Sequence, residues 1–403
     1  MKPRDMIVEA RRCVACGLCL PYCPTYRATH SEADSPRGRI HMISAVVQGT
    51  LPNSLRFAEH IDLCLSCRAC ENVCPNGVKY GALVNGARAQ IAGKARRSWW
   101  RLVAQRAAAY TLSSRALTAT VGRGLRLAQA IGLRRLARIS PGVKKLEALL
   151  PTVPSQSGWL SCHEATSPRG EVSLFLGCVS SILDADTLHA AVFVLNRLGY
   201  TVHIPPQQAC CGALHRGAGE QMLADAMAAR NIEAFSVFAE LPLLSVASGC
   251  GATLQEYMGR PLQDISAFLA QADGWKHVSI APLNATILVH DSCTLRNVLR
   301  QQQSVYKLLQ RIPGAKVLPL PGNDQCCGGA GAYMLTQEKM ARHLRDDKIV
   351  ACRQTGGSLL ATSNIGCALH LVAGLREEGL VVEVMHPVQI LARQMGFHGD
   401  TQG

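Results

Sequence analysis

Two short cysteine runs constrain the structure of this chain more than any other feature of its sequence. CVACGLCLPYCP begins at Cys13 and CLSCRACENVCP begins at Cys64, and both have the spacing C-x2-C-x2-C-x3-C-P. Every cysteine of the second run lies 51 residues after its counterpart, as Cys64 does after Cys13. This spacing is typical of ferredoxin-type 4Fe–4S binding, because three closely spaced thiolates wrap one cube and the fourth points away from it.

The eight cysteines of these runs divide into two ligand sets. In two-cluster ferredoxins, the fourth cysteine of each run ligates the cluster of the other run. We therefore assign one 4Fe–4S cluster to Cys13, Cys16, Cys19 and Cys74. We assign the other cluster to Cys64, Cys67, Cys70 and Cys23. A pair of zinc sites is the alternative, but zinc prefers two separated CxxC pairs. The runs predict two clusters that move single electrons.

A longer repeat fills the second half of the chain. One cysteine, a Cys-Cys-Gly triplet and a further cysteine occur there twice. The first set is Cys178, Cys210, Cys211 and Cys250, and the second is Cys293, Cys326, Cys327 and Cys367. Adjacent cysteines do not readily share one metal atom, but they can bind two iron atoms of one cluster, and the glycine lets the backbone approach closely. These cysteines are candidate ligands of further iron–sulfur clusters or of zinc.

Apolar runs alternate with helical patterns around the long repeat. The first repeat has the apolar run EVSLFLGC, then a helical pattern over 184–198, then the apolar run YTVHIP. The second repeat has the same order: ATILVHDSC, a helical pattern over 296–310 and AKVLPL. This alternation predicts parallel α/β domains with the cysteines just beyond strand ends, where such folds place their sites. In the N-terminal part, we expect helices from Pro36 to near Gly49 and over 80–91.

These patterns predict an α+β multidomain chain with four parts. Residues 1–93 form a mostly helical ferredoxin-type domain with two clusters, and residues 94–165 form a basic helical linker. Residues 166–282 form the first α/β Cys-Cys-Gly domain, and residues 283–403 form the second.

The cysteine content also bears on the compartment. A disulfide framework for the 18 cysteines would need an oxidising environment. No apolar signal segment precedes Cys13, so we expect reduced thiols in a cytoplasmic protein. No stretch of about 20 residues is apolar enough to span a membrane.

The net charge of +14 is concentrated in one segment. No acidic residue lies between Glu71 and Glu147, and Trp99 and Trp100 fall among the arginines and lysines of that interval. A basic amphipathic helix with tryptophan predicts peripheral contact with the inner face of the cytoplasmic membrane. A docking face for an acidic subunit and a solvated linker are the alternatives. No nucleic-acid-binding fold accompanies the charge, so we expect no nucleic acid.

The cysteine-rich repeats resemble the corresponding domain of heterodisulfide reductase catalytic subunits. The whole layout is similar to the iron–sulfur subunit family of bacterial glycolate oxidase, with that of anaerobic glycerol-3-phosphate dehydrogenase as a close relative. The resemblance rests on CVACGLCLPYCPTY, SPRGRI, CLSCRACENVCPNGV, LFLGCV, CCGALH, CCGGAGAY and TSNIGCALHL. The fullest form of the family ends each repeat in CxxC, whereas this chain has Ala247 and Asn364 at those first positions and Ser292 where proline is common.

The resemblance implies an electron-transfer subunit of a flavin-dependent 2-hydroxy-acid oxidoreductase, with glycolate as the substrate by analogy. An FAD-containing dehydrogenase subunit would supply electrons, and a quinone or another acceptor would receive them. The chain has no G-x-G-x-x-G after a strand, so we expect no catalysis by this chain alone. Two alternatives remain: a reductase of disulfides or small acceptors at the second Cys-Cys-Gly set, and a zinc-stabilised docking module.

Five further side chains lie close in sequence to the cysteines. Arg37, Arg39 and Lys79 could raise a cluster potential by offsetting its charge, although solvated surface bases are an equal alternative. His215 and His290 could be ligands or could support ligands. We favour ordinary core or loop histidines for both.

Overall fold

A computed structural model describes residues 1–94, 115–131, 153 and 158–399. The N-terminal part is built from short helices: α1 (Pro3–Ala10), α2 (Pro24–Thr29), α3 (Pro36–Gln48), α4 (Leu55–Asp62), α5 (Ala69–Asn72) and α6 (Tyr80–Lys94). The helix predicted from Pro36 is confirmed as α3. It begins because Ser35 Oγ accepts a hydrogen bond from Gly38 N at 3.0 Å, and it ends at Gly49 with a φ of 79°. The helix predicted over 80–91 is confirmed as α6.

The core of the N-terminal part joins apolar helix faces to cysteines. Met6, Ile43, Ile61 and Leu83 are fully buried, and Cys64 and Cys70 belong to the same cluster. A domain of this size has little apolar surface to bury. Because candidate ligand cysteines lie in this core, we expect its stability to depend on the metal they would hold.

The first α/β unit follows a separate helix, α7 (Arg115–Ala130). Its strands are β1 (Cys162–His163), β2 (Gly170–Phe175), β3 (Tyr200–His203), β4 (Leu243–Ser245) and β5 (Leu262–Asp264). Its helices are α8 (Ser180–Leu183), α9 (Ala185–Arg197), α10 (Ala213–Gly217), α11 (Gln221–Ser236), α12 (Ser248–Gln255) and α13 (Ile265–Gln271). The sheet order is β1-β3-β2-β4-β5, and all pairs are parallel except β1 with β3.

The second α/β unit has a sheet of four parallel strands. The strands are β6 (Thr286–His290), β7 (Lys316–Pro319), β8 (Leu359–Thr362) and β9 (Glu383–Met385), in the order β7-β6-β8-β9. Its helices are α14 (Gln302–Leu309), α15 (Tyr333–Thr336), α16 (Glu338–Thr355), α17 (Ile365–Glu377) and α18 (Pro387–Gln394).

The two sheets have the same strand order once the short edge strand β1 is set aside. The central strands β2 and β6 are flanked by β3 and β4 in one sheet and by β7 and β8 in the other. The long repeat of the sequence is therefore a repeat of topology. The predicted fold class, helical N-terminal part followed by α/β units, is confirmed.

One predicted helix is wrong as a continuous element. The segment 296–310 contains a π-helical turn, Leu295–Leu299, then Arg300 with a φ of 57°, and only then α14. Beyond the break, Gln301 Oε1 accepts from Asp264 N at 2.7 Å and its Nε2 donates to Leu262 O at 3.2 Å. The chain breaks the helix here, and Gln301 satisfies the backbone of β5 with its side chain. An apolar period alone does not reveal such a contact.

The predicted basic linker, residues 94–165, lies mostly outside the described residues, including Trp99 and Trp100. Its described helix is α7, on which Arg123, Arg126 and Leu127 are exposed. Among the described residues, no helix has the length and apolar character needed to cross a membrane.

Candidate metal centres

Two concavities in the N-terminal part gather the eight cysteines of the short repeat. Cys13, Cys16, Cys19 and Cys74 line one of them, which we call the outer ferredoxin site. Cys23, Cys64, Cys67 and Cys70 line the other, the inner ferredoxin site, and Cys70 also reaches the first. The structure thus brings together the two sets that the crossed assignment pairs. Cys16 is exposed, whereas Cys23, Cys64 and Cys70 are buried.

The backbone winds in the same unusual way around both sites. Ala15 and Gly17 have φ values of 55° and 85°, and Ser66 and Arg68, the corresponding residues of the second run, have 52° and 62°. Non-glycine residues adopt the left-handed region at a cost of about 1–2 kcal/mol each. Successive turns of this kind direct backbone N–H groups toward one point, which suits an anionic cluster. Ser66 N, for example, donates to Cys64 Sγ at 3.4 Å.

Two buried arginines surround the inner ferredoxin site. Arg39 is 1% exposed, and its Nε donates to His60 O at 2.7 Å while Nη1 donates to Thr25 Oγ1 at 3.0 Å. Arg88 Nη2 donates to Cys64 O at 2.6 Å. Burial by itself raises the pKa of Cys64, but the charges of Arg39 and Arg88, together with hydrogen bonds from Ser66 N and Tyr80 Oη, outweigh it and lower that pKa. These cations favour thiolate at the inner site.

The three basic residues singled out from the sequence have different environments. Arg39 is the buried one. Arg37 is on the surface, where it pairs with Glu32 at 2.6 Å and donates to Ala15 O at 3.1 Å. Lys79 contributes its backbone N–H to Glu9 Oε1 at 2.8 Å. Only Arg39 places its charge inside the protein beside cluster cysteines.

We expect Arg39→Met to make the potential of the inner cluster more negative, because a buried positive charge no longer offsets the cluster charge. It should also lower the free energy of unfolding, by less than the about 3–5 kcal/mol of a fully unpaired buried charge, because Asp34 would lose Arg39 at 3.6 Å but keep His60 at 2.9 Å. Redox titration and urea unfolding measure the two effects. Arg37→Met is the matched control and should leave the inner potential unchanged; equal shifts in both variants would contradict the assignment.

The Cys-Cys-Gly sets lie just beyond strand ends, as predicted. Cys178 and Cys293 each follow the last residue of their strand, Phe175 or His290, by three positions. Cys210–Cys211 and Cys326–Cys327 follow β3 and β7, and Cys250 and Cys367 follow β4 and β8. The structure therefore brings each set of four together at the carboxyl end of its sheet. We call them the first and second Cys-Cys-Gly sites.

Sulfur atoms are in close contact within both sites. Cys178 Sγ lies 3.2 Å from Cys210 Sγ, and Cys293 Sγ lies 3.9 Å from Cys326 Sγ. Hydrogen bonds from Cys178 and Cys211 hold the pKa of Cys210 well below its usual value. Four sulfurs so arranged are a donor set for a soft metal ion or an iron–sulfur cluster.

The glycine of each triplet is left-handed, with φ values of 86° at Gly212 and 83° at Gly328. Both direct their N–H to the first cysteine of the pair: Gly212 N to Cys210 Sγ at 3.5 Å and Gly328 N to Cys326 Sγ at 3.4 Å. A Cβ on Gly328 would lie 2.5 Å from Ala341 O. Close backbone approach thus requires the glycine at the second site.

The surroundings of the second Cys-Cys-Gly site include Lys348, which no sequence motif singled out, and Asn364, which stands where the fullest family motif has a cysteine. Lys348, on α16, is 2% exposed and its ammonium donates to Gly322 O. Its charge acts on Cys326 and Cys327, and burial lowers its pKa. Asn364 Nδ2 donates to Cys367 Sγ at 3.3 Å. A lysine among the apolar positions Leu344, Ile349 and Cys352 of an amphipathic helix was the available signal for Lys348.

The two histidines are both buried. His215 lies on α10, 4% exposed, and contributes to lowering the pKa of Cys210. His290 is the last residue of β6 and is 2% exposed. Its Nδ1 lies 3.0 Å from Thr362 Oγ1, and burial lowers its pKa to about 3, so the imidazole is neutral. One nitrogen of this ring and the sulfurs of Cys327 and Cys367 lie within 4.8 Å of one another.

The inner ferredoxin site packs directly against the second Cys-Cys-Gly site. Cys67 and Cys293 both pack on one buried cluster, which contains Leu65, Cys326 and Tyr333. Asn297 Nδ2 donates to Cys67 O at 2.9 Å, and Tyr333 Oη donates to Leu63 O at 2.9 Å. Cysteines from distant parts of the chain therefore share one apolar environment.

A polar seam joins the two Cys-Cys-Gly sites. Ser248 Oγ lies 2.7 Å from Ser292 Oγ and 2.8 Å from Thr294 Oγ1, and Ser248 N donates to Ser363 O at 2.9 Å. These residues adjoin Cys250, Cys293 and Cys367 in sequence. Ser292, which replaces the proline common in the family motif, supplies a hydroxyl to this seam.

Family models match the parts of the chain that form these sites. Residues 9–78 match the 4Fe-4S dicluster domain, and residues 172–255 and 287–372 match the Cysteine-rich domain. The probable glycolate oxidase iron-sulfur subunit of Bacillus subtilis (strain 168) is 32% identical over 419 residues, covering 96% of this chain and 94% of that protein. The glycolate oxidase iron-sulfur subunit of Escherichia coli (strain K12) is 31% identical, with the same coverage.

The chain belongs to the glycolate oxidase iron-sulfur subunit family. Lactate utilization protein A of Halalkalibacterium halodurans is also similar, 26% identical over 240 residues that cover 56% of this chain and 97% of that protein. A crystal structure of a hypothetical protein from Helicobacter pylori has a TM-score of 0.56 at 7% identity, covering 92% of this chain and 70% of that one. That likeness concerns the fold alone.

As a member of this family, the chain is an iron–sulfur subunit. Its residues fit iron–sulfur clusters on structural grounds as well: thiols converge, backbone N–H groups point at sulfur, and buried cations stand nearby. The family placement thus confirms the resemblance read from the sequence motifs.

Proposed function

We propose that this chain is the electron-transfer subunit of a 2-hydroxy-acid oxidoreductase complex. A partner subunit that contains FAD would oxidise the 2-hydroxy acid, with glycolate as the substrate. The observation that supports this most is the contact of the inner ferredoxin site with the second Cys-Cys-Gly site through Cys67 and Cys293. Iron–sulfur clusters, when bound, accept and release single electrons.

The four candidate metal sites lie next to one another in a series. The outer and inner ferredoxin sites share Cys70, the inner site adjoins the second Cys-Cys-Gly site, and the serine seam leads to the first. The cysteines that we propose as ligands are the two crossed sets of the ferredoxin sites and the four of each Cys-Cys-Gly site. None of them needs to act as a nucleophile.

The outer ferredoxin site is the exposed end of this series of sites. Cys16 is exposed, and Val14, Leu18 and Tyr22 beside it are 66%, 55% and 44% exposed. Apolar side chains around an accessible cluster suit a transient contact with a redox partner. We propose that the FAD-containing subunit docks here.

For the acceptor, we propose a quinone at the inner face of the cytoplasmic membrane. The helix α7 supports peripheral contact there, because it exposes Arg123 and Arg126 together with Leu127 and Val121. A basic amphipathic helix of this kind binds anionic lipid surfaces.

The test is the metal content and electron transfer of the full chain purified without oxygen. We expect about 12–16 irons per chain with matching sulfide and no zinc, and reduction by a 2-hydroxy acid only when the FAD-containing subunit is present. About eight irons with one or two zinc ions would favour the zinc-stabilised docking alternative. Disulfide reduction by the isolated chain with an artificial donor would favour the catalytic alternative.

A further inference from the structure

We propose that His290 is a ligand of the metal centre at the second Cys-Cys-Gly site, through its Nε2 atom. The proposal rests on the proposed function in one respect, that this site holds iron. It assigns the site five donors: the thiolates of Cys293, Cys326, Cys327 and Cys367, and the imidazole of His290.

The position of the ring supports ligation. His290 ends β6 at the edge where the cysteines converge, and its ring nitrogen and the Cys327 and Cys367 sulfurs form the one such group found among the described residues. The ring is 2% exposed, so no solvent competes for the site.

The hydrogen bonds of the ring indicate which nitrogen is available. Nδ1 lies 3.0 Å from Thr362 Oγ1, whereas Nε2 is buried and has no hydrogen-bond partner. Histidines that bind metals usually donate their other N–H to a nearby oxygen, which fixes the tautomer. Thr362 can accept from Nδ1–H, which leaves the Nε2 lone pair free. A buried nitrogen without a partner is costly, and a metal bond would satisfy it.

The first Cys-Cys-Gly site provides an internal comparison. Phe175 ends β2 as His290 ends β6, and each precedes the first cysteine of its set by three positions. The Phe175 ring packs against Phe235, with ring centroids 6.3 Å apart, within the apolar cluster that holds Cys178, Cys210 and Cys211. At this position the chain therefore has phenylalanine in one repeat and histidine in the other.

The donor count has a chemical consequence. A tetrahedral zinc ion takes four ligands, so five donors with two adjacent cysteines suit a cluster of several iron atoms. Each Cys-Cys-Gly site has four thiolates, so the neutral imidazole of His290 would add a fifth donor without adding negative charge. The ammonium of Lys348 beside Cys326 and Cys327 offsets negative charge and raises the potential, and Asn231 occupies its place in the first repeat. We expect the second site to have the higher potential.

The experiment compares four forms of the full chain purified without oxygen: wild type, His290→Phe, His290→Gln and His290→Cys. Phenylalanine reproduces the first repeat, glutamine keeps a polar side chain without a good ligand, and cysteine restores a ligand. Iron per chain is followed during exposure to a chelator, and chains labelled with 15N-histidine are examined by pulsed EPR across a redox titration. Phe175→Leu is the matched control at the first site.

We expect wild type and His290→Cys to retain iron, and His290→Phe and His290→Gln to lose it from the second site at least about tenfold faster. A 15N coupling from a bound histidine should be present in wild type and in Phe175→Leu and absent from all three His290 variants. Urea unfolding and the iron of the ferredoxin sites report whether each variant has folded.

Three results would overturn the proposal. If His290→Gln keeps iron at the second site as long as wild type does, the ring only fills a polar position. If His290→Phe keeps that iron as well, His290 has no role in holding the metal. If Cys327→Ser does not lower the iron content, the second site holds no iron and His290 has nothing to ligate. If the ferredoxin sites still hold iron in that case, the proposed electron-transfer function stands although the His290 proposal fails. The failure of one proposal is therefore distinguishable from the failure of the other.

Discussion

Replacing Cys67 with serine is expected to remove about four irons per chain, the content of one cubane cluster. Cys67 lines the inner ferredoxin site together with Cys23, Cys64 and Cys70. Cys64 and Cys70 belong to the core of the N-terminal part, so losing the metal should also weaken that core. The free energy of unfolding should fall by about 4 kcal/mol or more, the range reached by the loss of a metal site.

The same substitution should interrupt electron transfer within the chain. Cys67 packs on the buried cluster that contains Cys326. Reduction of the outer site should survive, while reduction of the Cys-Cys-Gly sites through the ferredoxin sites should be lost. Iron and sulfide analysis and EPR redox titration measure these effects. Cys162→Ser is the control, because Cys162 lies outside all four sites. Full iron in the Cys67 variant would refute the ligand assignment.

Gly219→Ala is expected to have the second large effect, by forcing the N-terminal part away from the first Cys-Cys-Gly domain. A Cβ on Gly219 would lie 2.4 Å from Arg88 O and 2.8 Å from the Ala92 Cβ of α6. Arg88 in turn holds the second cysteine run, through Ser66 Oγ at 2.8 Å and Cys64 O. Overpacking of this kind costs about 1–3 kcal/mol, and the left-handed φ of 81° adds about 1–2 kcal/mol.

The matched control for Gly219→Ala is Gly259→Ala. Gly259 also has a left-handed φ, of 66°, but an added Cβ there would meet nothing within 4 Å. It should show only the backbone cost of about 1–2 kcal/mol. Hydrogen exchange of α6 and urea unfolding distinguish the two, and faster exchange in α6 is expected for Gly219→Ala alone. Equal unfolding free energies and unchanged exchange would show that this contact does not hold the two parts together.

Local spacing was enough to predict the candidate ligands. Three thiolates that wrap one cube must be close in sequence, and the requirement appears in each run as C-x2-C-x2-C. The long repeat was equally legible, because a duplicated strand and helix order keeps its cysteines at corresponding strand ends. The boundaries 1–93, 94–165, 166–282 and 283–403 remain predictions, as do the individual ligand roles.

The sequence could not distinguish the roles of two side chains of the same type where tertiary contacts decide those roles. Arg37 and Arg39 are two residues apart in SPRGRI, yet one is at the surface with Glu32 and the other is buried beside Cys23 and Cys64. The sequence favours an ordinary core or loop histidine at His290; the contact of its Nδ1 with Thr362, which leaves Nε2 without a hydrogen-bond partner, depends on the pairing of β6 with β8. The break at Arg300 likewise depends on a contact with β5.

The sequence by itself determined which cysteines can act together, the duplicated α/β order and the family, because cluster ligation and strand–helix alternation leave short-range patterns. Only the tertiary structure decided how these sites adjoin one another. The contact of Cys67 with the environment of Cys293 spans more than half of the chain. It depends on packing between parts of the chain that are distant in sequence, for which no local pattern is required.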